Sequence, residues 1–241
     1  MSIIRKIKTC FAVRYLYYAI RYRIFISRSK NYCTVKYKGL KFCGGNLDDI
    51  LGHVKVIFID KIYTKHHEIH AFEVVLDIGA HVGIFSILAA SKLAFVIAVE
   101  PHPENYKWLC DNKRDKFLGN IHAFQCAASD NCYQETLSIG HNTVSHSTVA
   151  ENKHESIVVD AMTIDEIVYQ SYVSRVDFIK MNCEGAELKA LHGAIGTMER
   201  FSPDIVISTG HYADEIYQLG TFLEAHGYSV DVEGKVIYAT K

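Results

Sequence analysis

The sequence predicts an α/β protein whose core is a mostly parallel sheet of seven strands, ending in an antiparallel C-terminal edge hairpin. Three observations predict it. From about residue 71 onward, short apolar runs alternate with segments of helical period. Two of those runs, Glu73–Asp77 and Ala94–Glu100, finish on an acid where the chain turns. Near the C-terminus, Tyr228–Val232 and Lys235–Tyr238 flank Glu233-Gly234 as the arms of a hairpin. With 49 % of its 241 residues apolar, the chain can bury one large core.

The elements follow in order. Ile3, Ile4, Ile7, Phe11, Tyr15, Tyr18 and Tyr22 recur at helical intervals among basic residues, so the chain opens as a basic amphipathic helix. Tyr32–Phe42 alternates about Lys38-Gly39 and reads as a short hairpin, and Asn46 to Leu51 begins like a capped helix. Helical or irregular chain runs on to about His70, making residues 1–70 an extension to a domain spanning 71–241. Within the domain come strand Glu73–Asp77, helix Val82–Ser91, strand Ala94–Glu100 and helix Pro103–Lys113, with Pro103 in the first turn. Strand Asn120–Cys126 leads to a polar excursion over Asp130–His154 with short strands, then to helix Thr163–Tyr169. Strand Val176–Met181, helix Ala186–Thr197, strand Asp204–Ser208 and helix Ala213–Ala225 precede the closing hairpin.

Ligands of such sheets sit beyond the carboxyl ends of the strands. There the run Val74-Val75-Leu76-Asp77-Ile78-Gly79-Ala80-His81-Val82-Gly83 passes from a buried strand through a glycine turn into a helix. Its glycines would let backbone approach a ligand, and the helix start would offer free N–H groups. Asp77 at the strand mouth repels a pyrophosphate and attracts an ammonium, and the Gly79-to-Gly83 spacing misses the G-x-G-x-x-G dinucleotide fingerprint. S-adenosyl-L-methionine carries an α-amino group where a dinucleotide carries phosphates, so the turn points to that methyl donor. Glu100 ends the next strand where an acid accepts hydrogen bonds from two ribose hydroxyls. Small residues Ala127 and Ala128 would let an adenine lie against the strand ends, with Ser129 or Asp130 near its amino group. His81 either meets the donor carboxylate or hydrogen-bonds the helix start.

These segments, with Val99-Glu100-Pro101-His102-Pro103-Glu104-Asn105 and Phe178-Ile179-Lys180-Met181-Asn182-Cys183-Glu184-Gly185-Ala186-Glu187, resemble the FkbM family of S-adenosylmethionine-dependent methyltransferases. The similarity runs from about Val74 to His211, and the Lys-x-x-x-Glu-Gly-x-Glu segment is its most discriminating part. The resemblance implies a Rossmann-like methyltransferase fold. It also implies O-methylation of a hydroxyl on a sugar, glycan, lipid-linked saccharide or secondary metabolite. Two positions depart from the family pattern: Asn182 stands where an Asp is usual, and Thr209 where a Glu often precedes Gly210-His211. A hydroxyl acceptor benefits from a base at the attacking oxygen. His211 and Glu184 are the candidates, with Lys180 either orienting Glu184 or pairing with Glu187. Cys183 lacks the preceding proline of cytosine-C5 enzymes and reads as a small core or loop residue. No Asn/Asp-Pro-Pro-aromatic tetrapeptide follows the fourth strand.

Charge adds a second theme. No Asp or Glu precedes Asp48, whereas that stretch carries Arg5, Lys6, Lys8, Arg14, Arg21, Arg23, Arg28, Lys30, Lys36, Lys38 and Lys41. Residues 1–30 therefore suit an anionic membrane surface, and the arginines rule out a span. That placement fits a cytoplasmic enzyme at the inner membrane face. RNA is the alternative partner and ranks lower for want of RNA-specific motifs. A donor-binding protein that lost catalysis through Asn182 and Thr209 is the third reading. Seven scattered cysteines without a C-x-x-C pair fit a reducing compartment. His66, His67 and His70 read as a solvated connector, and no metal site is expected.

Overall fold

A computed structural model describes residues 20–30, 32–116, 118–138 and 156–241. The expected N-terminal helix lies outside these residues except for its end at 20–22, which is helical. The extension forms a three-stranded antiparallel sheet of β1 (Phe25–Arg28), β2 (Cys33–Tyr37) and β3 (Leu40–Gly44), with the hairpin turning at Lys38-Gly39 as expected. Helix α1 (Leu47–Val54) is capped by Asn46, whose Oδ1 accepts from the N–H groups of Asp48 and Asp49. It continues into one wider turn of π-helix, Lys55–Ile59.

The main sheet contains β4 (Val74–Ile78), β5 (Phe95–Val99), β6 (Ile121–Phe124), β10 (Phe178–Met181), β11 (Asp204–Ser208), β12 (Ser229–Glu233) and β13 (Val236–Thr240), counting β7 (Ala127–Ala128), β8 (Tyr133–Ser138) and β9 (Ser156–Met162) in chain order between them. Its order is β12-β13-β11-β10-β4-β5-β6, parallel except at the β12–β13 edge, so the expected architecture is observed. Helices α2 (Ile84–Ser91) and α3 (Pro103–Arg114) cover one face together with the extension. Helices α4 (Ile164–Gln170), α5 (Glu187–His192), α6 (Ile195–Phe201) and α7 (Glu215–Ala225) cover the other. The strands supply both cores by alternation: Val75, Val96, Ala98 and Phe178 point to the first, Leu76, Ile78, Ile97 and Ile179 to the second.

Three expectations need correction. The helix expected over Ala186–Thr197 is two helices, broken at Gly193-Ala194. A Cβ on Gly193 would lie 2.0 Å from the Ser129 carbonyl oxygen, so the chain bends where only glycine fits, and Asp165 accepts from the Gly196 and Thr197 N–H groups at the new helix start. Strand β9 falls between two expected elements; it joins β7 and β8 in a third small sheet, β7-β9-β8. His67 is no solvated connector residue, because it is held between Asp204 at 2.7 Å and Glu73 at 3.3 Å and packs on Phe178. Among the described residues no helix is long and apolar enough to cross a membrane.

Candidate active site

The carboxyl ends of β4, β5 and β10 open onto a half-open cavity, the place where ligands of such sheets bind. Gly79, His81, Glu100, Pro101, Ala127, Ala128, Asn182 and Glu184, all singled out from sequence, line it. Asn105, Leu137, Cys183, Ala186 and His53 complete the wall. Asp77, Ala80, Gly83, Ser129, Lys180 and His211 are not part of that lining.

Asp77 lies beneath the cavity, fully buried. The parallel register sets Lys180 of β10 directly beside it on β4. Lys180 Nζ donates to Asp77 Oδ1 at 2.8 Å and to the Gly79 carbonyl at 2.8 Å, while Ser86 Oγ donates to Asp77 Oδ2 at 2.6 Å. The acid thus does attract an ammonium, but the ammonium is the protein's own. This corrects both expectations for Lys180, which neither orients Glu184 nor pairs with Glu187. Burial works against its charge, and the neighbouring Asp77 outweighs burial and holds its pKa above the ordinary lysine range.

The glycine turn is also used internally. The N–H groups of Gly79 and Ala80 both donate to the Val99 carbonyl, Gly83 N donates to Ala80 O, and His81 N donates to Glu100 Oε2. These groups are therefore not free for an anion, contrary to expectation. A Cβ on Gly79 would sit 2.0 Å from Asn182 O, and one on Gly83 would sit 2.3 Å from Leu109 Cδ1. The two glycines, both at positive φ, leave their Cβ space to neighbouring protein, and the Gly79 backbone still faces the cavity.

What the turn builds is the setting of Glu100. Its carboxylate, 5 % exposed, accepts from His81 N at 2.8 Å, His102 N at 3.0 Å and Asn105 Nδ2 at 3.5 Å. A carboxylate offers about four acceptor sites, so it keeps capacity facing the cavity. Burial pushes its pKa up to about 7, opposed by those hydrogen bonds. An acid at this strand end with apolar Ala127, Ala128 and Leu137 nearby fits a nucleoside: hydroxyls toward Glu100, base against the small side chains. Ser129 is not part of the lining; its Oγ lies 3.3 Å from Asp130 Oδ1 and 3.0 Å from Tyr133 Oη.

Beyond β10 and β11 lies a second ionic cluster. His211 Nδ1 is 3.5 Å from Glu184 Oε2, and its Nε2 is 3.6 Å from Glu187 Oε1. Glu187 braces its own loop, accepting from Cys183 N and Gly185 N, and Glu215 does the same for Gly210 N and His211 N. Burial opposes charge on His211, but the Glu184 hydrogen bond and the Glu187 and Glu215 carboxylates push its pKa up to about 9. Its carboxylate neighbours favour the imidazolium, so His211 stands paired with Glu184 and Glu187 rather than in the cavity lining. Ligand-type atoms of Glu187, His211 and Glu215 lie within 4.8 Å of one another, a set that the sequence did not foresee and that could hold a cation of mixed nitrogen and oxygen preference. The proton on His211 supplies positive charge at the same place. Cys183 keeps its thiol proton, because burial drives its pKa well above the usual range. Thr209, 4 % exposed, donates its hydroxyl to the Lys235 carbonyl and is locked in the sheet edge.

His53 is the wall residue that sequence reasoning missed. It comes from α1, hydrogen-bonds Asp49 O through Nδ1 at 2.8 Å, and stacks on His81 with ring centroids 4.6 Å apart and planes at 18°. The only local trace is the spacing of Asp49 and His53, one helical turn apart; its nearness to Glu100 and Asn182 is a product of the tertiary fold.

A cavity at the carboxyl ends of a mostly parallel sheet with a reversed edge strand, walled by an acid that ends the second strand, defines the Rossmann-like methyltransferase class of α/β proteins. The profile described as the methyltransferase FkbM domain matches residues 77–230, and the chain belongs to that family. It is 24 % identical over 210 residues to methyltransferase sdnD of Sordaria araneosa, covering 73 % of this chain and 81 % of that one. It is 27 % identical over 146 residues to the hexuronic acid methyltransferase AglP of Haloferax volcanii, covering 58 % and 57 %. The crystal structure of methyltransferase FkbM from Methylobacillus flagellatus KT matches with a TM-score of 0.56 at 21 % identity, over 73 % of this chain. The match spans 45 % of the length of that chain, so it speaks for the fold alone.

Proposed function

We propose that the protein transfers a methyl group from S-adenosylmethionine to a hydroxyl of a sugar, glycan or lipid-linked saccharide. The observation that carries the donor assignment is Glu100, buried yet in the cavity wall and positioned by the glycine turn. In this reading Glu100 receives the ribose hydroxyls, Ala127, Ala128 and Leu137 face the adenine, and Gly79 with His81 borders the methionine end. The donor supplies a methyl on a positively charged sulfur, so the chain's own task is to orient the acceptor, exclude water and take a proton. The acceptor class is supported by the similarity to the Haloferax volcanii hexuronic acid methyltransferase.

The chain is also 40 % identical to the tRNA (guanine(37)-N(1))-methyltransferase of Drosophila melanogaster, but over 72 residues that cover 16 % of that protein. That short stretch supports no RNA substrate. The basic residues 1–30 suit attachment to an anionic membrane face near such acceptors, which sedimentation with phosphatidylglycerol vesicles tests. The function itself is tested by incubating the full chain with methyl-labelled S-adenosylmethionine and a uronic-acid glycan pool. Label in a base-stable methyl ether of the sugar supports the proposal, and label in a base-labile methyl ester alone, or in none of the glycans, contradicts the hydroxyl acceptor.

A further inference from the structure

We propose that His53 is the base that takes the proton from the acceptor hydroxyl, a reading that rests on the donor cavity assigned above. Three observations converge on it. The ring lines the cavity. Its Nδ1 lies 2.8 Å from the Asp49 carbonyl, which only accepts, so Nδ1 bears the hydrogen and Nε2 keeps a bare lone pair. Stacking on His81 at 4.6 Å fixes the ring plane. The groups around it keep it neutral: burial lowers its pKa and Lys180 adds to that, outweighing the Asp49 hydrogen bond and the Asp49 and Glu184 charges. The other candidates face each other, His211 Nδ1 lying 3.5 Å from Glu184 Oε2, and His211 is not part of the cavity lining.

In the transfer, the acceptor O–H bond breaks and its proton passes to Nε2. An oxygen electron pair forms the new C–O bond while the C–S bond breaks and its pair returns to sulfur, which leaves as a neutral thioether. The imidazolium then gives its proton to solvent. His53 belongs to helix α1, outside residues 77–230 that the family profile matches.

The test is nitrogen NMR of the full chain labelled at histidine, with His53→Gln to assign the signal and saturating S-adenosylhomocysteine as the probe. Expected is a neutral ring at neutral pH with its hydrogen on Nδ1. A cationic ring, or one protonated at Nε2, overturns the proposal. In turnover with glucuronic acid, His53→Asn keeps an N–H for the Asp49 carbonyl but has no base. It is expected to lose roughly 100-fold or more in kcat with donor KM within about twofold. Unchanged kcat in both His53→Asn and His53→Gln also overturns it. A wild-type chain that binds S-adenosylhomocysteine but methylates no uronic acid overturns the acceptor class and leaves the tautomer to decide on His53. One that binds no S-adenosylhomocysteine overturns the donor cavity and this proposal with it.

Discussion

His53 lines the cavity and His211 lies outside its wall, beside Glu184, which does line it, and the two rings have opposite chemistry. His211 follows a strand of the family domain, the position from which a catalytic histidine is expected, yet three carboxylates surround it and hold its proton. His53 comes from a helix of the extension, ties one nitrogen to backbone and is kept neutral by burial and by Lys180. Position in the fold brings a histidine to a site; its neighbours decide whether it gives or takes a proton there.

Lys180 offers the strongest way to break the contrast. Replacing it by Met leaves Asp77, fully buried, with no counter-ion. Unfolding in urea is expected to show a loss of about 3–5 kcal/mol, as for other buried pairs broken on one side. In the folded fraction the His53 pKa should rise, since a repelling charge is gone, while burial still holds it down.

The pH dependence of stability sharpens the comparison, because the two rings act with opposite sign. The folded pKa of His211, about 9, lies above its ordinary 6.5. Its stabilisation is complete below 6.5 and disappears as pH rises toward 9. Glu187, pushed by burial from 4.5 up to about 7, adds a loss of the same sign over that lower window. His53 is shifted downward, so its contribution is present above 6.5 and is lost as pH falls. Thermal unfolding across these windows should show His211→Gln flattening the alkaline limb and deepening the Glu187 loss below it, and His53→Gln flattening the acid limb.

The smallest effect is expected where both charges are in water. Lys41 and Asp115 pair at 2.6 Å with side chains 40 % and 50 % exposed. Lys41→Ala should change stability by no more than about 0.5 kcal/mol, measured by the same urea titration. A loss near that of Lys180→Met would contradict the view that burial sets the worth of these pairs.

The sheet, its reversed edge and the nucleoside acid at Glu100 were legible in sequence because each rests on local pattern: continuous apolar strands, a glycine hairpin, an acid at a strand end. The capped start of α1 was legible for the same reason, through Asn46 two and three residues before its donors. What failed depends on register and packing. Nothing near Lys180 in sequence says that it lies beside Asp77; the alignment of β10 on β4 decides it. The break at Gly193 is set by Ser129, distant in the chain. The role of His53 is hidden because it sits in a segment with no motif. The need for glycine at both turn positions is also set by packing, since Asn182 and Leu109 occupy the space that the missing side chains leave.

The central claim is that Glu100 anchors a donor nucleoside. Calorimetric titration of the full chain with S-adenosylhomocysteine, compared with Glu100→Gln, tests it most directly. The account predicts saturable one-to-one binding that weakens in the variant by about 1.5–3 kcal/mol, the worth of hydrogen bonds to a charged group and roughly 10- to 150-fold in Kd. Equal affinity in both proteins, or no saturable binding in the wild-type chain, would contradict it.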